Sequence, residues 1–416
     1  MRRLLVVLAV VAALAAGAVV AVVVVQRLHG ERDIRGSSTE EFTLPTTPVP
    51  TPPPLGIEWP QYGFDPTRTR AVSLALRPPF RKVWRYRAGS LVEFPPAVAY
   101  GRIYLSTNSG KVAAVNAKTG KRAWKYFSHR CVAASPAVGP QRRGTVFAVF
   151  LNRPPCNSKR KHGTGKLIAF AAGFGKIQWQ KTIGRSESSP LIVGRRLYVG
   201  DWDGRVWAVD AGSGRTIWVR RPTHAAIKGA LAYSGGRLYV GAYDGALYCL
   251  GARRGRLVWR AKAQRRLFGG AQFYSTPALA YGRVYIGGTD GKVYSFGATT
   301  GKRIWSHSTG GYVYASPAVW NGLVFVGSYS KRFYAFDAAT GDVRWTFKAN
   351  GQISGSPTVV GDVVYFATLK RRTYALAART GKVLWTFPDG KYSPVVAVRG
   401  KLFLVGYTRV YGMVPR

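Results

Sequence analysis

From Ile57 onward, hydrophobic positions recur at every second residue in short runs separated by turn-forming Gly, Asp and Asn. A period of two, carried by β-branched and aromatic residues, predicts strands. In the unit Ser316 to Trp345, SPAV, VFVGS, RFYAFDA and VRWTF read as four successive strands. The turn NGL joins the first pair and ATGD the last. In other units the second and third strands meet at Asp203-Gly204, Asp244-Gly245 or Asp290-Gly291, pairs that suit a two-residue hairpin with positive φ.

The units repeat. Trp124, Trp179, Trp218, Trp259, Trp305, Trp345 and Trp385 each follow a Gly by four residues, at spacings near forty with one of 55 and one of 46. Each Gly supplies the left-handed turn into an outermost strand, and each Trp then packs on a neighbouring sheet. Trp84, within FRKVWRY, lies on a similar strand but has Phe80 where the Gly would stand. At the other terminus YSPVVAV, KLFLVGY and RVYGMVPR supply three strands and lack a fourth. The predicted fold is therefore all-β: an eight-bladed β-propeller over 57–416, of four-stranded antiparallel blades, the last closed by the N-terminal strand. Closure of this kind removes sheet edges.

Leu4 to Val25 is an unbroken apolar run flanked by Arg2, Arg3 and Arg27. As a helix it would extend about 33 Å, enough to cross a bilayer. Cleavage after Ala13-Leu14-Ala15 is the alternative, but it would leave AGAVVAVVVV exposed, so a retained signal-anchor within 1–30 is preferred. The N-terminus is then cytoplasmic, and the rest lies outside the cytoplasm on a single-pass cell-membrane protein. Residues 31–56, dense in Pro and Thr from Leu44 to Pro54, predict either an extended linker reaching up to roughly 80 Å or a disordered tail with no spacing role.

The 17 acidic residues against 62 Lys and Arg, a formal charge of +45, favour anionic partners. Placement outside the cytoplasm turns that preference toward membrane or cell-wall polyanions and away from nucleic acid. His29, His129, His162, His224 and His307 show no metal-binding spacing.

Repeats of the form SPAV, YVGS, DGKVY and TGKVLW, together with the opening IEWPQYGFDPTRTR, resemble the pyrroloquinoline-quinone (PQQ) repeat of quinoprotein alcohol dehydrogenase-like propellers. The resemblance covers almost all of Ile57 to Arg416. It implies the fold, but it admits both quinone-dependent dehydrogenases and noncatalytic assembly scaffolds. The dehydrogenases hold PQQ with calcium through carboxylate and amide groups, use an Asp base, and often join adjacent cysteines. Here Cys131, Cys156 and Cys249 include no adjacent pair, and CxxCH is absent. Asp203, Asp244, Asp290, Asp210 and Asp337 fall in turns, so no catalytic or metal set is predicted. PQQ with calcium belongs only to the dehydrogenase alternative.

Glu93 and Glu187 stand three residues before the Pro that opens an innermost strand. Tyr274, Tyr314 and Lys391 share that register, with Lys228 and Tyr392 one place closer. In a propeller these seven ring one mouth of the axial channel, either as ligand contacts or as the lining of a wet, narrow passage. Cys131 and Cys156 lie on two loops of one blade that emerge on the same face, as a disulfide staple or as two free thiols. Cys249 aligns with Ala208, Ser295, Ala335 and Ala375, a small core position. Lys159, Arg160, Lys161 and His162, with Arg130 and Arg153, form a basic loop patch, and Trp202, Tyr243 and Tyr329 are placed on the same face. The expected function is a membrane-tethered, monomeric, noncatalytic binding or assembly module for an extracytoplasmic protein. The rivals are a diverged PQQ-dependent dehydrogenase and a polyanion-binding surface.

Overall fold

The computed structural model describes residues 8, 11–21, 33–43, 55–156, 163–264 and 270–416. Eight sheets are built on the innermost strands Ala97–Ala99, Ala137–Gly139, Leu191–Val193, Ala232–Ser234, Ala278–Ala280, Ala318–Trp320, Thr358–Val360 and Val395–Val398. These define blades one to eight. Each continues outward through three more antiparallel strands, and innermost strands of adjacent blades touch around an axis. In blade eight the outermost strand is Phe80–Arg87, paired antiparallel with Arg409–Pro415 so that Trp84 lies opposite Gly412. The N-terminal strand closes the ring.

The repeated Gly and Trp form the seams. Gly120 has φ 73°, and a Cβ on it would lie 2.7 Å from the indole of Trp84 in the preceding blade. The same Trp–Gly stacking joins each blade to the next as far as Trp345 on Gly381. Each indole N–H also crosses the seam, as in Trp124 Nε1 to the Ala172 carbonyl at 2.9 Å and Trp305 Nε1 to Ala338 at 3.0 Å. Tyr285 donates its hydroxyl to that same Ala338 carbonyl at 3.1 Å. A flat, apolar, donor-bearing ring thus fills the seam while satisfying an otherwise buried carbonyl.

Residues 57–72 run inside the ring. Innermost strands present one unpaired edge toward the axis, and this segment takes it up blade after blade. Ile57–Trp59 adds a strand to blade one, and Ala71–Val72 adds a parallel one to blade seven. Between them Val138 N donates to Pro60 O, Ile192 N to Gln61 Oε1, Tyr233 N to Pro66 O, Leu279 N to Thr67 O and Val319 N to Thr69 O. Arg68, fully buried, donates to the carbonyls of Leu231 at 2.9 Å, Pro190 at 3.3 Å and Tyr62. The expected axial channel is therefore occupied by chain.

Two local expectations change. Only the Gly of each Asp-Gly pair has positive φ, and Asp201 pairs with Arg205 across the hairpin through N–H to O at 2.9 Å. The loop holds three residues ending in a left-handed Gly, which accommodates the strand twist without a positive φ at Asp. Within the apolar run 4–25, residues 11–21 are helical, and the remainder, apart from residue 8, lies outside the described residues. Among the described residues no helix is long and apolar enough to cross a membrane.

The linker segment differs too. Residues 33–43 form a strap on the outer edge of blades five and six, while 44–54 lie outside the described residues. Ile34 bridges Ser306, Gly36 N donates to Thr340 O at 2.8 Å, and Arg35 pairs with Asp342 at 2.9 Å. Glu41 accepts the Thr299 N–H at 2.9 Å, and Phe42 packs on Tyr281 with centroids 5.5 Å apart. Only residues 26–32 separate the apolar run from this docked strap. The expected 80 Å reach does not apply to that interval.

Candidate functional site

The Ser-Pro and Thr-Pro steps that precede the innermost strands form a belt of hydroxyls. Ser135 N donates to Ser189 Oγ, Thr276 N to Ser316 Oγ and Ser316 N to Ser356 Oγ, each at 2.9 Å, so each blade orients the next. Above this belt lies the mouth. Tyr62, from the axial segment, reaches up to Ser316 and Ser356 through its hydroxyl at 3.2 and 3.0 Å and meets Phe94 edge-on at 5.8 Å. It floors a blind cup.

Around that floor the structure brings together the residues that share the register before the inner strands. Lys228 Nζ lies 3.8 Å from Glu187 Oε1 and stands over the rings of Trp202 and Tyr243 at 4.2 and 5.0 Å. Tyr274 meets Tyr314 edge-on at 5.7 Å, and Tyr314 meets Tyr329 at 5.1 Å. On the other side Lys391 stands over Tyr392 and Tyr407 at 5.4 and 4.5 Å. Trp202, Tyr243 and Tyr329, from the second-to-third-strand loops, line the same mouth.

Electrostatics here follow from burial. The Glu93 carboxyl is pushed up to about 7 by desolvation and the Glu187 charge, with Lys391 acting the other way. Glu187 is raised by burial, partly offset by Lys228 and by its hydrogen bond with Tyr274. The Tyr392 hydroxyl is pushed up to about 12, first by burial and then by Glu93, so it stays a neutral donor. A low-dielectric cup with one ion pair and one carboxyl that is half protonated near neutrality results.

That arrangement can bind, through aromatic faces, two ammonium groups and hydroxyl donors. It contains no nucleophile held against a base. Calcium requires several converging oxygen ligands, and the mouth offers two carboxylates, one committed to Lys228. Among the described residues no group of three or more His, Cys, Asp or Glu is placed to hold a metal ion. Cys131 and Cys156 are bonded to each other, with Cα atoms 5.6 Å apart, and form no adjacent pair against the cup. These residues do not fit a calcium–PQQ site.

The other predicted positions are structural or lie apart. The Arg130 guanidinium donates to Leu151 O at 3.0 Å and Thr164 O at 2.6 Å, fastening the base of the disulfide loop. Lys159, Arg160, Lys161 and His162 lie outside the described residues. Cys249 is buried, and desolvation pushes its thiol up to about 11. Asp210 and Asp337 accept turn N–H groups, as in Ser213 N to Asp210 Oδ1 at 2.8 Å and Thr340 N to Asp337 Oδ1 at 2.9 Å. Sequence reasoning missed Tyr407 and Arg371, stacked at 4.2 Å on the mouth, and the Tyr62 floor. For Tyr62 the neighbouring Pro-Thr-Arg-Thr-Arg run was a signal, since Arg68 and Arg70 in an apolar-bounded segment need buried acceptors; Tyr407 and Arg371 had none.

A family model described as "Outer membrane protein assembly factor BamB" matches residues 80–153, 160–227, 203–314 and 289–415. The chain belongs to this PQQ-repeat propeller family. Among curated proteins, the outer membrane protein assembly factor BamB of Bordetella pertussis is 28% identical over 157 residues, 33% of this chain and 36% of that protein. The quinohemoprotein alcohol dehydrogenase of Comamonas testosteroni is 30% identical over 185 residues, 43% of this chain and 20% of that protein. The matches thus span about a third or less of these relatives' lengths. In fold, this PQQ-repeat propeller is similar to BamB from Moraxella catarrhalis, with TM-score 0.65 and 18% identity. That alignment covers 81% of this chain and all of the other. It also resembles the Comamonas testosteroni dehydrogenase, with TM-score 0.70 and 17% identity, over 88% of this chain and 81% of the other.

Proposed function

We propose that this PQQ-repeat propeller is a noncatalytic, extracytoplasmic binding or assembly module, tethered to the membrane by its N-terminal apolar segment and needing no cofactor. The single observation supporting it is the chemistry of the mouth. Its two carboxylates sit among lysines and tyrosines over a floor of chain, without the oxygen ligands or acid–base pair that oxidation of an alcohol requires. The relatives named for outer-membrane assembly agree with this reading, whereas those named as dehydrogenases offer the competing one.

The two readings separate in one experiment. Purified full-length protein is mixed with PQQ and calcium, and both the quinone spectrum and dye reduction by alcohols and sugars are followed. No stoichiometric quinone uptake and no turnover are expected. Retention of one PQQ per chain, or substrate-dependent dye reduction, would overturn the proposal.

A further inference from the structure

The strap fixes where the chain leaves the propeller. Ser308 N donates to Asp33 Oδ1 at 2.7 Å, and His307 Nδ1 lies 3.3 Å from Asp33 Oδ2. Ser308 ends the outermost strand of blade five, immediately before the loop that leads to Tyr314 at the mouth. From there the strap runs to Tyr281, in the turn at the opposite end of the blade. The N-terminal direction of the chain therefore departs on the mouth side of the rim. Seven residues, 26–32, connect this point to the apolar run and reach at most about 25 Å.

The neighbouring sector of the mouth face has the composition of a membrane-contacting surface. Lys262, Lys331, Lys348, Lys370 and Arg371 are exposed at strand ends and hairpins of blades four, six and seven. Tyr312, 54% exposed, projects among them beside Tyr329. Lysines lend charge to anionic headgroups, and an amphipathic tyrosine ring suits the interface between water and acyl chain.

We propose that this sector of the mouth face docks on an anionic phospholipid surface, holding the cup toward the membrane from which the chain emerges. The proposal rests on the tethered reading above, because the short connection places the face within reach of lipid. The strap sets the orientation, and charge supplies the attraction, which falls off within a Debye length.

The test uses the full chain reconstituted in nanodiscs of phosphatidylcholine alone or with phosphatidylglycerol. Hydrogen exchange is followed in the amides of 309–314, 328–332 and 368–372. Docking predicts protection in the anionic discs that is lost in molar salt. It also predicts that Lys331→Glu, Lys370→Glu and Arg371→Glu together reduce that protection by at least about tenfold. Lys118→Glu, Lys121→Glu and Lys382→Glu together, three exposed lysines on the opposite face, match the change in net charge and should leave it unchanged. Equal exchange in both lipids, with the chain still held in the disc, overturns docking but spares the tether. Protection that ignores lipid charge, or appears only with a soluble anionic glycopolymer, also overturns docking. A chain that is not retained in any disc overturns the tether and docking together.

Discussion

Phe80 stands edge-on against the indole of Trp385, ring centroids 5.6 Å apart and planes 80° from parallel. Every other seam puts a Gly under the Trp of the preceding blade. Blade eight enters its outermost strand from the N-terminal segment, so it has no tight turn and no Gly to offer. A second aromatic ring fills the gap. Phe80→Ala should open a cavity at the closing seam and cost roughly 3–4 kcal/mol, read as a lower midpoint in urea unfolding. A loss below about 1 kcal/mol would mean that this contact does not hold the ring shut.

At the seam between blades five and six, backbone and packing act on one residue. Gly341 has φ 78°, and a Cβ there would lie 2.7 Å from the Trp305 ring. Gly341→Ala should therefore destabilise by more than the roughly 1 kcal/mol of a left-handed alanine, because the indole must also shift. Trp305→Phe should be milder, about 1–2 kcal/mol, since the Ala338 carbonyl keeps the Tyr285 hydroxyl. Thermal unfolding that ranks the two the other way would contradict this account of the seam.

The wheel was legible because its determinants are local and repeated. A period of two, a Gly and a Trp four residues later recur in register, and each reports on its own strand or turn. The register before the inner strands was legible for the same reason, and it places Glu187, Lys228, Tyr274, Tyr314 and Lys391 around one mouth. Two features were not. The axial course of 57–72 depends on carbonyls meeting N–H groups of seven different blades, and no spacing within the segment encodes those long-range partners. The strap likewise depends on Glu41 finding Thr299, 258 positions away. Proline-rich surroundings instead suggested an extended spacer.

Arg68 is the buried centre of that axial segment. Its guanidinium joins three carbonyls from the segment and from blades three and four, and burial pushes it down to about 9. Arg68→Met removes the donors and leaves three buried acceptors, which should cost roughly 3–5 kcal/mol. Arg68→Lys should recover little of this, because one ammonium lacks the planar fork that serves acceptors in several directions. Full stability in the Lys variant would show that charge alone, and not the fork, holds the segment.

Glu93 gives the mouth a pH dependence of defined sign. Its folded pKa, about 7, lies above the ordinary 4.5 because of burial and the nearby Glu187 charge. Below pH 4.5 the carboxyl is protonated in both folded and unfolded chains, and its contribution is fully present. As pH rises toward 7 the unfolded chain ionises first and gains relative stability, so the folded protein loses roughly 2–3 kcal/mol by linkage. Glu93→Gln mimics the protonated form. The variant should match the parent at pH 4, become progressively more stable between pH 4.5 and 7, and keep a constant advantage above that range. Urea midpoints measured across these values provide the check. An advantage that does not vary with pH would assign the effect to packing, and one that shrinks on approach to neutrality would mean that Lys391, rather than Glu187 and burial, governs this carboxyl.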